Sequence, residues 1–224
     1  MKPLPERPLL SCAELIDFIN EVGILPLLRN GMNWSAQEAV DPVCDYQEPV
    51  DGGTGWPLWD WKGDIIKQTG CAYGSFINGN ATFITQQFWA DFCNYRRSVM
   101  PKPEPDSVEA MILEVLDRNG SMITRDLRSI CGFDTPKLRS KFGKYITRLN
   151  MSCRIVTEDF VYPVDKKGKR YGWGWALHTR PERLFGADAC STSHTPEQSY
   201  QRLREHLEQL FPDSDETFFR YLLK

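Results

Sequence analysis

Apolar residues recur at Val108, Met111, Ile112, Val115 and Leu116, the i, i+3, i+4, i+7, i+8 spacing of one helix face. The spacing predicts a helix that Asp106 and Glu109 open, three apart as in a capping box, and that Gly120 closes. Thr124 is placed to cap a second, short helix burying Leu127 and Ile130, with Gly132 just beyond it. Thr135-Pro136 starts a third helix, because proline at the first helical position gives up no needed hydrogen bond. Leu138, Phe142, Tyr145, Ile146 and Leu149 share one side of it. Residues from Cys153 to Pro163 and from Tyr171 to Leu177 are rich in β-branched and aromatic side chains and read as two strands. Three short helices followed by a two-stranded ribbon is the order of a winged helix, expected over residues 106–178.

Other stretches carry the same kinds of signal. Ser11 and Glu14 have capping-box spacing ahead of a stripe of Leu15, Phe18, Ile19 and Val22 that ends near Gly23 and Pro26. Ser35 and Glu38 repeat the device, and Asp41-Pro42 cuts that helix short. Pro49, Gly52, Gly53 and Gly55 mark an irregular loop over residues 45–55. Gly63 to Ile77 is compatible with helix or strand, and Ala81 to Ile84 reads as a short strand. Thr85 can cap a helix from Gln86 to about Arg97 that buries Phe88, Phe92 and Tyr95. Met100-Pro101-Lys102-Pro103-Glu104-Pro105 alternates proline and reads as a stiff spacer. Thr195-Pro196-Glu197-Gln198 starts a helix with Tyr200, Leu203, Leu207 and Leu210 on one face, and Glu216 to Leu223 looks like a last short helix. The expected fold is therefore α+β, mainly helical. It divides into an N-terminal helical, Trp-rich domain (1–100), a winged-helix domain (106–180) and a C-terminal helical extension (181–224). The alternative is one inseparable unit over residues 11–185 in which the spacer only crosses the surface.

Charge sharpens the picture of the third helix. At about 100° per residue, Lys137, Lys141, Lys144 and Arg148 fall within an arc of roughly 60°, with no acid among them. Between the two strands lies Asp165-Lys166-Lys167-Gly168-Lys169-Arg170, a turn with four cations. Net charge is −3, yet residues 1–50 carry 3 basic and 8 acidic side chains, while residues 118–154 carry 9 basic and 2 acidic. Such asymmetry predicts one positive face. A basic helix beside a basic turn suits duplex DNA, the helix in the major groove and the turn on phosphates. The plainer reading is a solvated helix face.

Trp56, Trp59 and Trp61 place three tryptophans in six residues. They fit core packing, or the wall of a pocket that stacks a planar group. Tyr73 would extend that wall, and Lys62, Arg96 and Arg97 would be its cationic partners. The seven cysteines form no Cys-x-x-Cys pair, so neither a metal site nor a cofactor is expected, and reduced thiols are. No apolar run approaches the ~20 residues of a membrane span. Without an apolar leader in residues 1–10, a cytoplasmic protein is expected. There is no phosphate-binding glycine loop and no Gly-x-Ser-x-Gly elbow.

Trp59-Asp60-Trp61-Lys62, Cys71-Ala72-Tyr73-Gly74, Ala81-Thr82-Phe83-Ile84 and Asn94-Tyr95-Arg96-Arg97, followed by the expected winged helix, resemble the AlkZ-related family over residues 11 to 185. These are bacterial proteins similar to the AlkZ-type DNA glycosylases, which are built from tandem winged helices. The resemblance implies a DNA-handling ancestry and an N-terminal half holding a second, divergent winged helix. The active glycosylases use a Gln-x-Gln or Gln-x-Asp pair to orient water and stabilise charge on the deoxyribose. No glutamine here fits that pattern; Gln86 and Gln87 are adjacent instead. No catalytic residue is carried over. The expected function is binding of double-stranded DNA without base excision. The alternatives are a divergent glycosylase acting on a damaged base and a protein-interaction module, and the sequence identifies no protein partner.

Overall fold

Ser11 accepts a hydrogen bond from the Glu14 amide and opens α1 (Cys12–Val22), whose Leu15, Phe18, Ile19 and Val22 are buried. Gly23 takes φ +72 and ends the helix where the stripe and its glycine predict; the chain then runs directly into β1 (Ile24–Pro26), a strand the sequence reading does not include. In this computed structural model the described residues are 4–47 and 55–223, so most of the loop expected over residues 45–55 lies outside them. A one-turn helix α2 (Ala36–Ala39) and a 3-10 turn (Pro42–Cys44) follow. The ambiguous stretch splits cleanly. Residues Pro57–Thr69 form α3, with proline in its first turn and Gly70 in the left-handed conformation at its end. Ala72–Ile77 then forms β2, paired through an Asn78-Gly79 turn with β3 (Asn80–Ile84). Both turn residues have positive φ, which Asn and Gly tolerate best. Helix α4 (Gln86–Val99) closes this part.

Beyond the prolines come α5 (Val108–Asn119), β4 (Met122–Ile123), α6 (Thr124–Ile130), α7 (Pro136–Met151), β5 (Val156–Val161) and β6 (Trp175–Thr179). Several local expectations change. Ser107, not Asp106, caps α5: its Oγ accepts from the Ala110 amide, while Glu109 turns inward. Thr124 is the first residue of α6 rather than its cap, and its hydroxyl bonds the Ala176 carbonyl and His178. Ile130 is 55% exposed, because the short helix has only Leu127 facing the core. The second ribbon strand starts at Trp175, not Tyr171. Gly172 and Gly174 have φ near +70°, and backbone in that region cannot continue a ladder.

The two halves repeat one order of elements: helix, strand, helix, helix, strand, strand. The sheet order also repeats. The first antiparallel sheet runs β1-β3-β2 and the second β4-β6-β5, so the third strand in sequence is central in each. The halves then interlock, since α7 packs on β2 and α3 packs on β5. At this contact Gly74 has no room for a side chain, because a Cβ there would lie 2.1 Å from Asn150 Oδ1. Arg96, fully buried, donates to the Met151 and Leu223 carbonyls, and Arg97 donates to the Cys153 carbonyl and Glu182.

Among the described residues two apolar cores result. The larger gathers Leu15, Ile24, Trp34, Phe76, Phe83 and Trp89. It is completed by α9 (Pro196–Leu210) and α10 (Glu216–Leu223), which insert Leu203, Leu207, Phe219 and Leu222. Thr195 and Gln198 form the capping box of α9. The short α8 (Pro181–Phe185) leads to it. Asp91 of α4 fastens α9 from inside the core edge, accepting from Ser199 at 2.7 Å and Arg202 at 3.0 Å, with His194 Nδ1 at 2.8 Å. The smaller core holds Ile112, Leu116, Leu127, Phe142, Leu149 and Ile155. Burying each such side chain contributes about 1.5–3 kcal/mol, which makes a core of this size modest beside the larger one. The architecture is mixed α+β, about half helical, with two small three-stranded antiparallel sheets, rather than mainly helical.

Candidate nucleic-acid interface

The apolar side of α7 buries Phe142, Ile146 and Leu149, while Leu138 and Tyr145 are half-buried. That packing fixes which way the opposite side points. Lys137, Lys141 and Lys144 are exposed, and among the described residues none makes an ion pair. Arg148 belongs to the same stripe but differs in its company. Its guanidinium lies 2.9 Å from Glu109, whose carboxylate is nearly buried beside Pro101, Pro103 and Ser107. The acid that neutralises the end of the stripe comes from α5, so helical spacing along α7 alone does not reveal it.

The cationic turn is built around Asp165. Its Oδ1 accepts from the amides of Lys167 at 2.8 Å and Lys169 at 2.9 Å, and its own carbonyl accepts from Gly168. Gly168 sits at φ +77, a conformation that keeps the loop tight. This geometry uses the backbone of the turn and leaves the side chains outside: Lys166, Lys167, Lys169 and Arg170 are all exposed. The Arg170 guanidinium lies 5.5 Å from the Tyr162 ring centre.

The tryptophan-rich stretch meets the ribbon that carries this turn. Trp56 and Trp59 stack at 5.1 Å, and Trp173 stands edge-on to both, at 5.8 and 5.7 Å. Tyr46 joins them, and Trp59 Nε1 donates to the Trp173 carbonyl. Trp56, Trp59 and Trp61 are half-buried, whereas Trp173 is 52% exposed. Trp173 was not among the sequence candidates; the glycines on either side of it were the available signal.

Lys62 lies beneath this cluster and is fully buried. Its Nζ donates to the Trp59 carbonyl at 2.7 Å and to the Tyr162 hydroxyl at 3.2 Å. The Trp59 and Phe160 rings stand 3.9 and 4.2 Å from it, close enough for cation–π attraction. Burial pulls the ammonium down to about 7, against the opposing effect of Asp60. Tyr73 is buried one layer deeper, between Phe83 and Phe160. Thus Trp56, Trp59 and Lys62 come together, Tyr73 packs behind them, and Arg96 and Arg97 of α4 bind carbonyls where the halves meet. In a small cleft beside the cluster, Asp60 and Asp64 face Tyr162, Arg170 and Tyr171.

The model of the AlkZ-related family matches residues 9–224. The chain belongs to that family. The match extends past the resemblance read at residues 11–185 to include α9 and α10, in keeping with their place in the larger core. No curated protein and no solved structure matches the chain. Among the described residues of this AlkZ-related protein, no helix is long and apolar enough to cross a membrane. No group of three or more His, Cys, Asp or Glu residues is arranged there to hold a metal ion.

Proposed function

We propose that this AlkZ-related protein binds double-stranded DNA through a winged helix formed by residues 106–180, and does so without excising a base. The observation that carries the reading is the outward face of α7. Three lysines stand there without acidic partners among the described residues, on the side away from the buried Phe142, Ile146 and Leu149. The element order α5-β4-α6-α7-β5-β6 matches that of winged helices, with α7 in the position of the helix that enters the major groove. Lys166, Lys167, Lys169 and Arg170 form the wing. Lysines and an arginine can pair with phosphates whatever the sequence, so the reading places contact mainly on the backbone.

In the same proposal residues 1–100 form a second, divergent winged helix. Its third helix, α3, packs on β5 as α7 packs on β2, but its cations are engaged, Lys62 being buried and Lys67 paired with Asp159, which supports a packing role for the N-terminal unit rather than a second groove-binding one. The C-terminal segment 181–224 accompanies that unit, whose core it completes. The test is fluorescence anisotropy with a random-sequence duplex over a range of salt concentrations. If about five phosphates are neutralised, log affinity falls with log salt at a slope of about −4 to −5. Absence of binding at low salt overturns the proposal.

A second reading rests on the aromatic cluster. Trp56, Trp59 and Trp173, partly open to solvent, could stack a base extruded from the duplex. It makes the protein a divergent glycosylase, and it predicts release of a damaged base from alkylated duplex that Trp173→Ala abolishes. Under the first reading, no base is released.

A further inference from the structure

Cys93 of α4 and Cys190, in the segment between α8 and α9, bring their sulfurs to 2.8 Å, although both are free thiols. The contact crosses 97 positions of sequence and joins two elements otherwise held by polar side chains. Cys93 is fully buried and Cys190 retains part of its surface. A third thiol, the fully buried Cys153, adjoins Cys93. Arg97, one turn along α4, donates to the Cys153 carbonyl at 2.7 Å and places its charge beside both paired thiols. Among the described residues, Cys12 is the other half-buried thiol.

These thiols are electrostatically unlike. The hydrogen bond from Cys93, followed by the charge of Arg97 as a further cause, holds Cys190 below the ordinary thiol range. Burial pushes Cys93 well above it. A thiolate that is reachable and flanked by a cation is the attacking partner in thiol–disulfide exchange, and a buried neighbour in contact with it is the resolving one.

We propose that Cys93 and Cys190 form an oxidisable dithiol site whose reaction partner is a low-molecular-weight disulfide. In the first step the Cys190 thiolate attacks one sulfur of that disulfide. A mixed disulfide forms and one small thiolate leaves, taking up a proton. In the second step Cys93 loses its proton and attacks Cys190 Sγ, closing the protein disulfide and releasing the second small thiol. Two protein thiols are oxidised and one small disulfide is reduced to two thiols, so atoms and electrons balance. The product ties α4 to the segment that leads into α9. It reinforces the attachment made by Asp91 and Asn94 to His194 and Ser199.

The test uses the full reduced chain in native buffer with oxidised glutathione, followed by alkylation of the remaining thiols, intact mass and peptide mapping. The expected result is loss of two hydrogens, one peptide pair linking Cys93 to Cys190, and an upward shift in melting temperature that a reductant reverses. Cys93→Ser should stop the reaction at a glutathione adduct on Cys190. Cys153→Ala, which leaves the reacting pair in place, should still cross-link. A lasting adduct on wild-type Cys190 without cross-linking would overturn the proposal, as would a linkage through Cys153 or no reaction at Cys190.

Discussion

Replacing Lys62 by Met should change how stability depends on pH, and by an amount the structure sets. Lys62 is fully buried, and its amine titrates at about 7 in the folded protein against 10.5 in an open chain. Between those values the unfolded state binds one more proton than the folded state. Stability therefore rises with pH there, by about 1.4 kcal/mol per unit, and is flat below 7 where both states are protonated. From pH 6 to 8.5 this single group adds roughly 2 kcal/mol to the wild-type protein. Methionine fills a similar volume and does not titrate, so the variant lacks the increment. Its absolute stability at pH 6 is not the test, since removing a buried charge and removing its ring contacts act in opposite directions. Burial also raises the thiol of Cys71 to about 11 and raises the Tyr73 hydroxyl. Those groups lower stability as pH climbs past their open-chain values, but both proteins carry them, so their effect cancels in the difference. Urea unfolding of both proteins at pH 6 and 8.5 supplies the answer. The difference between them should shift by roughly 2 kcal/mol in favour of wild type at the higher pH. Parallel pH profiles would refute the argument, and with it the buried position of the amine.

Three further outcomes follow from the packing. Phe142→Ala should cost about 3–5 kcal/mol in urea unfolding, as for other buried rings, with DNA affinity per folded molecule unchanged because the ring faces the smaller core. Gly74→Ala should cost about 1–3 kcal/mol through overpacking against Asn150. A double-mutant cycle with Asn150→Ala should recover much of that loss. His178 is buried with its titration pulled down by burial from 6.5 to about 4. The unfolded state alone is protonated between those values, so stability is complete above 6.5 and falls by roughly 3 kcal/mol as pH drops to 4. His178→Gln should remove that acid-side slope, as read by melting at pH 7 and pH 4.5.

The helices with regular apolar stripes, α1, α5, α7 and α9, were legible because a buried face imposes its period on the sequence. What escaped depends on partners far away in the chain. Lys62 follows three tryptophans and reads as a cation at a pocket edge. It is buried because Phe160 and Tyr162, about a hundred residues later, close over it. Arg148 reads as a fourth free cation of α7 until Glu109 meets it from α5. Trp173 lies in a glycine-flanked stretch that resembles an ordinary strand, and only the folded ribbon brings it to Trp56 and Trp59. Arg96 and Arg97 carry no pattern that distinguishes a ligand cation from one that bonds carbonyls inside the protein. At the start of α5 the competition was local: Asp106 and Ser107 are both good caps, and Ser107 wins where its hydroxyl reaches the Ala110 amide.

The most direct measurement of the central claim is duplex binding by a variant with Lys137, Lys141 and Lys144 all changed to Glu. These side chains are exposed and make no ion pair among the described residues. Exposed substitutions shift stability by within ~0.5 kcal/mol each, so the melting temperature should move little. Affinity for a random duplex should fall strongly, and the salt slope should become shallower by about 3, close to one unit for each cation withdrawn from a phosphate. A folded variant that binds with the wild-type affinity and the wild-type slope would contradict the account, and would leave α7 a solvated helix face.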